Sequence, residues 1–125
     1  MTEASIGPAL DERTEQTLRD LLAFTAMASR LVARGRPAYD ADETLRLAAE
    51  AILHKIGEAV TRLPEEFLAA HPEIPWRGMR AARNLVAHRY EQVDYGLIWD
   101  GFAEDLPHTA EQIEPLLGTR TSGRQ

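Results

Sequence analysis

The sequence predicts an all-α protein, a mostly antiparallel bundle of four or five helices. Apolar residues recur at three- and four-residue spacing over long stretches, as they do on the buried face of an amphipathic helix. No run alternates apolar and polar residues as a half-buried strand would, and the breaks between helical stretches are short. The 125 residues suit a single domain with one core.

The first helix is predicted from about Leu10 to Arg34, because its apolar stripe stops where Gly35 and Pro37 follow. Asp40, three residues before Glu43, resembles a capping box and is predicted to begin the second helix. The stripe of that helix is predicted to be buried and consists of Leu45, Ala48, Ala49, Ile52, Ile56, Ala59, Val60 and Leu63.

Proline residues punctuate the second half of the chain. Pro64 is predicted to end the second helix and to open a short one, and a rigid connector leads to a central helix from about Trp76 to Tyr90. Asp94 is predicted to cap the last helix, which Pro107 bends or restarts. We expect a helical domain over 10–117, between a flexible N-terminus of residues 1–9 and a disordered tail of residues 118–125.

Composition narrows the class of function. The formal net charge is −6 and there is no cysteine, so a general nucleic-acid coat, a disulfide framework and a thiolate zinc site are all disfavoured. No signal peptide or membrane-spanning stretch is evident, and a cytosolic protein is expected. One local basic run remains, free of acidic residues between Trp76 and Tyr90, and it consists of Arg77, Arg80, Arg83 and Arg89.

One weaker pattern, on the second helix, has a structural explanation. Glu50, His54 and Glu58 share a helix face at a spacing of four residues, which could form half of a metal site. A solvated polar face explains them better, so no metal site is predicted. The sequence also lacks a glycine-rich phosphate loop and a serine in a nucleophile-elbow setting.

The central helix holds four chemically versatile side chains: Arg83, Asn84, His88 and Tyr90. At about 100° per residue, Arg83 and His88 lie roughly 140° apart around the helix. They therefore cannot reach one spot unless the helix bends or a second copy of the helix supplies the partner. Taken as composition alone, a salt-bridged arginine and a histidine packed at a helix end would explain the stretch equally well.

The stretch R-N-L-V-A-H-R-Y from Arg83 to Tyr90 resembles the Arg-x₄-His-x-Tyr motif of the HEPN superfamily, in its HepT branch. Other similarities follow in the family's order: K-I-G-E-A-V-T-R-L-P, H-P-E-I-P-W, V-D-Y-G-L-I-W-D and E-D-L-P. Together they cover about Leu10 to Leu117. One departure is visible, because Ala81 and Ala82 stand where the family usually has Gly-Met.

This resemblance implies the toxin of a toxin–antitoxin pair, a metal-independent endoribonuclease acting as a homodimer whose cleft is formed by two copies of the motif helix. Arg83 and His88 would be catalytic and Asn84 supporting. The resemblance also implies an antitoxin, an MNT-type nucleotidyltransferase that transfers AMP to Tyr90. From their charge, we expect contacts with the RNA backbone from Arg77, Arg80 and Arg89.

Two alternatives remain open on the sequence alone. The chain could be a catalytically silent HEPN module that scaffolds or regulates its nucleotidyltransferase partner. It could also be a plain helical bundle in which the motif is structural. Neither the RNA target nor the base preference can be read from the sequence.

Overall fold

The computed structural model describes the backbone of residues 10–88 and 93–123, and the side chains of residues 10–82 and 93–117. These residues contain no strand, and the predicted all-α class is confirmed. The elements in chain order are α1 (Glu12–Val32), α2 (Arg36–Ala41), α3 (Glu43–Thr61), α4 (Glu65–Ala70), α5 (Trp76–His88), α6 (Tyr95–Asp100), a π-helical segment (Gly101–Asp105) and α7 (Leu106–Gly123).

Helix α3 lies at the centre of the molecule. It packs most extensively against α5, and it also contacts α1 and α6. Helix α1 in turn packs against α3 and α7. The side chains that become fully buried between these helices include Leu18, Leu21, Ile56, Val60, Phe102 and Ile113. Because α5 rests mainly on α3, the motif helix lies at the edge of the bundle.

The beginning and end of α1 follow from local chemistry. The side chain of Asp11 accepts a hydrogen bond of 2.7 Å from the backbone N–H of Thr14, which satisfies a donor that the helix leaves free. At the other end Gly35 has φ of 93°, a conformation that other residues rarely adopt. The prediction that Gly35 and Pro37 end the first helix is confirmed. Pro37 then lies in the first turn of α2.

The predicted cap of the second long helix was wrong by two residues. Asp40 lies inside α2, where Arg36 Nε donates to its carboxylate at 2.9 Å. Asp42 is the actual N-cap: its backbone is extended, and its carboxylate accepts from the backbone N–H of Thr44 at 2.9 Å. The capping pattern failed because α2 uses Asp40 for an ion pair within its own turn.

The bend predicted near Pro107 takes the form of a wider helical turn. The N–H of Leu106 bonds to the carbonyl of Gly101, five residues earlier, so the π-helical segment joins α6 to α7 without a break. Proline has no N–H and its ring clashes with the carbonyl four residues before it, here that of Ala103. The extra residue in the turn is placed where it can relieve that clash.

The C-terminal boundary also differs from the prediction. Residues 118–125 were expected to form a disordered tail, whereas α7 continues to Gly123. This corrects the prediction for residues 118–123. The reason is that Gly118 weakens a helix by only about 1 kcal/mol relative to alanine, and no proline follows it to stop the helix.

A buried tyrosine ties α2 to α6. The hydroxyl of Tyr39, which is fully buried, donates a hydrogen bond of 2.8 Å to the backbone carbonyl of Tyr95. Its ring packs on that of Trp99, with centroids 5.0 Å apart. Burial raises the pKa of Tyr39 to about 12, and a hydrogen bond to Glu50 raises the pKa of Tyr95.

These two tyrosines predict an alkaline loss of stability. A pKa raised on folding means that the folded state holds the proton more tightly than the unfolded chain, in which tyrosine titrates near pH 10. The contribution is fully present below about pH 10 and is lost as the pH rises toward 12. We expect the free energy of unfolding in urea to fall over this range, and to fall less steeply in Tyr39→Phe. Equal slopes in the two proteins would contradict this.

Candidate functional site

The N-terminal end of the motif helix α5 is held in place by Trp76. The indole of Trp76 is buried, and its Nε1–H donates to the carbonyl of His71 at 3.0 Å. Phe67 of α4 packs against it with ring centroids 6.0 Å apart. The connector between α4 and α5 is therefore fixed to the helix that follows it, and this sets the direction in which α5 leaves α4.

Because the backbone of α5 is a regular helix, each position can be assigned to a buried or an exposed face. Trp76 and Met79 are buried, whereas Arg77 and Ala81 are exposed. Position 83 follows Trp76 by seven residues and so returns to the face that Trp76 and Met79 occupy. Position 88 follows Ala81 by seven residues and so lies on the exposed face. The backbone positions 83 and 88 of the predicted catalytic pair thus lie on two different faces of one helix.

The described residues cover the predicted site only in part. The backbone at Arg83, Asn84 and His88 belongs to α5, but their side chains lie outside the described residues. Arg89 and Tyr90 lie outside them altogether. The catalytic, supporting and modification roles assigned to these residues therefore stay predictions.

Two of the predicted RNA-contacting arginines are described, and they differ. Arg77 is exposed and lies on the same face of α5 as Ala81. Arg80 is partly buried and forms an ion pair of 3.2 Å with Glu65 of α4, while its Nε is buried without a hydrogen-bond partner. Arg77 is thus free to approach a phosphate backbone, whereas Arg80 is already engaged within the chain.

The chain that follows the motif is anchored by a predicted cap and by a tyrosine contact that the sequence did not single out. Asp94 caps α6 as predicted, with its carboxylate accepting from the N–H of Leu97 at 3.0 Å. Next to it, the hydroxyl of Tyr95 donates to the carboxylate of Glu50 on α3. Arg46 lies over the ring of Tyr95, 5.7 Å from its centroid. The start of α6 is therefore fixed to α3 by side-chain contacts.

The polar face of α3 helps to hold α6 in place. Glu50, one of the three residues with possible metal-ligand spacing, accepts the hydrogen bond from Tyr95. Within the described part of the chain, no group of three or more histidine, aspartate or glutamate side chains is placed to hold a metal ion. Among the same residues, every helix is too short or too polar to cross a bilayer.

Comparison with known proteins shows to which family this chain belongs. The model of the family described as "Ribonuclease HepT-like" matches residues 15–116, most of the chain. This chain belongs to the HepT-like ribonuclease family. The resemblance of its motif and connector segments to the HepT branch of the HEPN superfamily is thereby confirmed, over nearly the range that those segments cover.

Curated HepT-like relatives support the assignment. A protein of Methanocaldococcus jannaschii named as a candidate RNase is 36% identical over 76 residues, which cover 61% of this chain and 63% of that protein. A protein of Thermococcus cleftensis named as a probable ribonuclease HepT is 37% identical over 75 residues, covering 60% of this chain and 68% of that one. This chain thus spans slightly less than two thirds of the first relative. No solved structure matches it significantly.

Proposed function

We propose that this HepT-like chain is a metal-independent endoribonuclease that acts as the toxin of a toxin–antitoxin pair in the cytoplasm. The observation that carries the proposal is the family match over residues 15–116, together with an Arg-x₄-His sequence on the helical backbone of α5. The names of the curated relatives, an RNase and a ribonuclease HepT, point to the same substrate class.

The helical register of α5 supports a homodimer. Positions 83 and 88 are five residues apart and diverge by roughly 140° around the helix. A two-fold axis beside α5 would pair the same surface of two copies, so that position 83 of one copy could approach position 88 of the other. The position of α5 at the edge of the bundle leaves it able to take part in such a pairing.

The proposed chemistry uses the substrate's own nucleophile. The 2′-hydroxyl of RNA attacks the adjacent phosphorus, and the bond to the 5′-oxygen of the next nucleotide breaks. His88 takes the proton of the 2′-hydroxyl or gives one to the departing oxygen. Arg83, always cationic and with a planar fork of donors, stabilises the charge that develops on the phosphate. Asn84 orients His88 or donates to a phosphate oxygen.

Neutralisation is proposed to act at Tyr90. An MNT-type nucleotidyltransferase, the antitoxin, would transfer AMP from ATP to the Tyr90 hydroxyl with release of pyrophosphate. The attached nucleotide adds bulk and negative charge beside the cleft, and both oppose the approach of an RNA phosphate. The hydrogen bonds of Asp94 and Tyr95 fix the start of α6, a few residues after Tyr90 in the sequence.

The proposal is tested with the purified chain and a single-stranded RNA in the presence of EDTA. We expect endonucleolytic cleavage that continues without added metal and yields fragments ending in a cyclic phosphate. Cleavage that appears only when a divalent cation is added would contradict the metal-independent mechanism. A chain that binds the nucleotidyltransferase tightly and cleaves no RNA would favour the silent scaffold instead.

Arg77 is expected to contribute to RNA binding through charge alone. Arg77→Ala should weaken binding to RNAs of different sequence by similar amounts and reduce the slope of log K against log salt by about one. The measurement is fluorescence anisotropy with the catalytically disabled His88→Ala protein at several salt concentrations. Arg19→Ala is the matched control, because Arg19 lies on α1 and is paired with Glu15 at 2.6 Å. An unchanged salt slope in Arg77→Ala would exclude a phosphate contact.

A further inference from the structure

A large cleft opens between α5 and the continuous helix formed by α6, the π-helical segment and α7. Its volume is about 1000 Å³, and α3 lies at its floor. The floor is apolar and is formed by Leu53, Ile56, Met79, Ile98, Phe102 and Leu106. A cleft of this size with an apolar floor is typical of a binding surface rather than of a packing defect.

The walls of the cleft leave room for an approaching backbone. On this side the wall is built from Pro75, which precedes α5, and from the small residues Gly78 and Ala82 of α5. A Cβ atom added at Gly78, or at Gly101 on the opposite wall, would meet nothing within 4 Å. Leu97 lines the same cleft with 61% of its surface exposed. Apolar surface of this kind gains free energy when a partner covers it.

The rim of the cleft is acidic. It carries Asp94, Asp100, Glu104 and Asp105, and no lysine or arginine is found among the described lining residues. The last three are exposed, and none of them takes part in the ion pairs of the described residues, although Arg36 on α2 attracts Asp100 from a longer distance. Asp100 and Glu104 are four residues apart, a spacing at which like charges repel in a helical segment. Cations from outside the chain would relieve this repulsion.

We propose that this cleft binds an amphipathic helix of a partner protein, with an apolar stripe directed at the floor and lysine or arginine residues beside it. RNA and anionic lipid surfaces are disfavoured by the carboxylates at the rim. A second copy of the chain is disfavoured at this surface because a two-fold pairing of the cleft with itself would bring its acidic rims together. Apolar anchors flanked by complementary charge are the usual means of recognising a helix in a groove.

The cleft is separate from the motif face of α5. Ala82, which lines the cleft, and position 88 are six residues apart, which places them about 120° apart around the helix. A helix bound in the cleft would therefore contact a different side of α5 from an RNA held at His88. This inference does not depend on the proposed ribonuclease activity and remains valid if that activity is absent.

The test uses a synthetic 18-residue helical peptide with leucines at helical spacing and lysines on both flanks, titrated against the full chain by calorimetry. We expect saturable binding, and an affinity at least roughly tenfold lower for Glu104→Lys/Asp105→Lys, since two attractive charges become repulsive. The matched control is Glu111→Lys/Glu114→Lys, which makes the same charge change at exposed sites of α7 outside the cleft. The control should bind as the wild type does.

A second variant probes the apolar part of the cleft. Gly101→Phe should place its ring in the open space beside Gly101 and reduce binding without changing any charge. The proposal is overturned if the peptide binds wild type and the rim variant equally, or if a peptide with glutamates in place of the lysines binds as well. It is also overturned if the rim variant changes only the sedimentation of the chain itself, because the cleft would then be an interface between copies.

Discussion

His88→Ala should reduce RNA cleavage by roughly 10²- to 10⁴-fold in kcat/KM, the usual contribution of a general acid or base. The methyl group of alanine can neither accept the proton of the 2′-hydroxyl nor give one to the leaving oxygen. RNA affinity should change little, because Arg83 and Arg77 keep their charges. Single-turnover cleavage of a labelled RNA, measured over a range of protein concentrations, separates the rate of the chemical step from the affinity for RNA. In bacteria the variant should also relieve the growth arrest that we expect from the wild type.

The matched control is His54→Ala. His54 is an exposed histidine on α3 and lies outside the motif, so its loss should leave cleavage unchanged. If both variants cleave as the wild type does, His88 is not the proton-transfer group. If His88→Ala instead lowers the melting temperature with no activity to lose, the motif is structural. Arg83→Ala should show a defect of similar size to His88→Ala, since both act on one transition state.

Tyr90→Phe should leave the proposed ribonuclease activity intact and make the protein insensitive to the proposed nucleotidyltransferase. Phenylalanine keeps the ring but removes the hydroxyl oxygen that would receive AMP. We expect wild type, co-expressed with the transferase, to gain mass by one or more AMP units and to stop arresting growth. The Tyr90→Phe protein should gain no mass and should continue to arrest growth. Intact-protein mass spectrometry measures the gain in mass, and colony counts measure the growth arrest.

Tyr95→Phe provides the control for this experiment. Tyr95 lies five residues further along, and its hydroxyl donates to Glu50. It should still be neutralised, because the acceptor at position 90 remains. If the transferase silences Tyr90→Phe as effectively as wild type, neutralisation works by binding alone. In that event the cleft between α5 and α7 becomes the first surface to test for the antitoxin contact.

The fold was largely predictable because its determinants are local. Gly35, with its positive φ, and Asp94, as a cap, act within a few residues of their own positions, and both were read correctly. The errors occurred where two local patterns compete. Asp40 looks like a cap but is taken by Arg36, so Asp42 caps α3 instead. Helix α2 itself was missed, since six residues carry too little periodicity to reveal it.

The features of the candidate site also fall into two groups: those that the local sequence predicts and those that only tertiary contacts reveal. The sequence alone located the motif, placed it on a helix and showed that Arg83 and His88 diverge, because the angle per residue of an α-helix is constant. Only the tertiary structure showed that Arg80 is engaged by Glu65 while Arg77 is free, and that Tyr95 is held by Glu50. These contacts join elements that are distant in the chain, and no local pattern specifies them.

The sequence by itself therefore determined the helical class, the family and the order of the chemical groups along α5. The tertiary structure decided which faces of α5 are covered, how the chain beyond the motif is anchored, and that an acidic, apolar cleft lies beside it. The physical reason is that capping and periodicity are properties of neighbouring residues. Burial and ion pairing depend on which helices meet, and this is set only when the whole core packs.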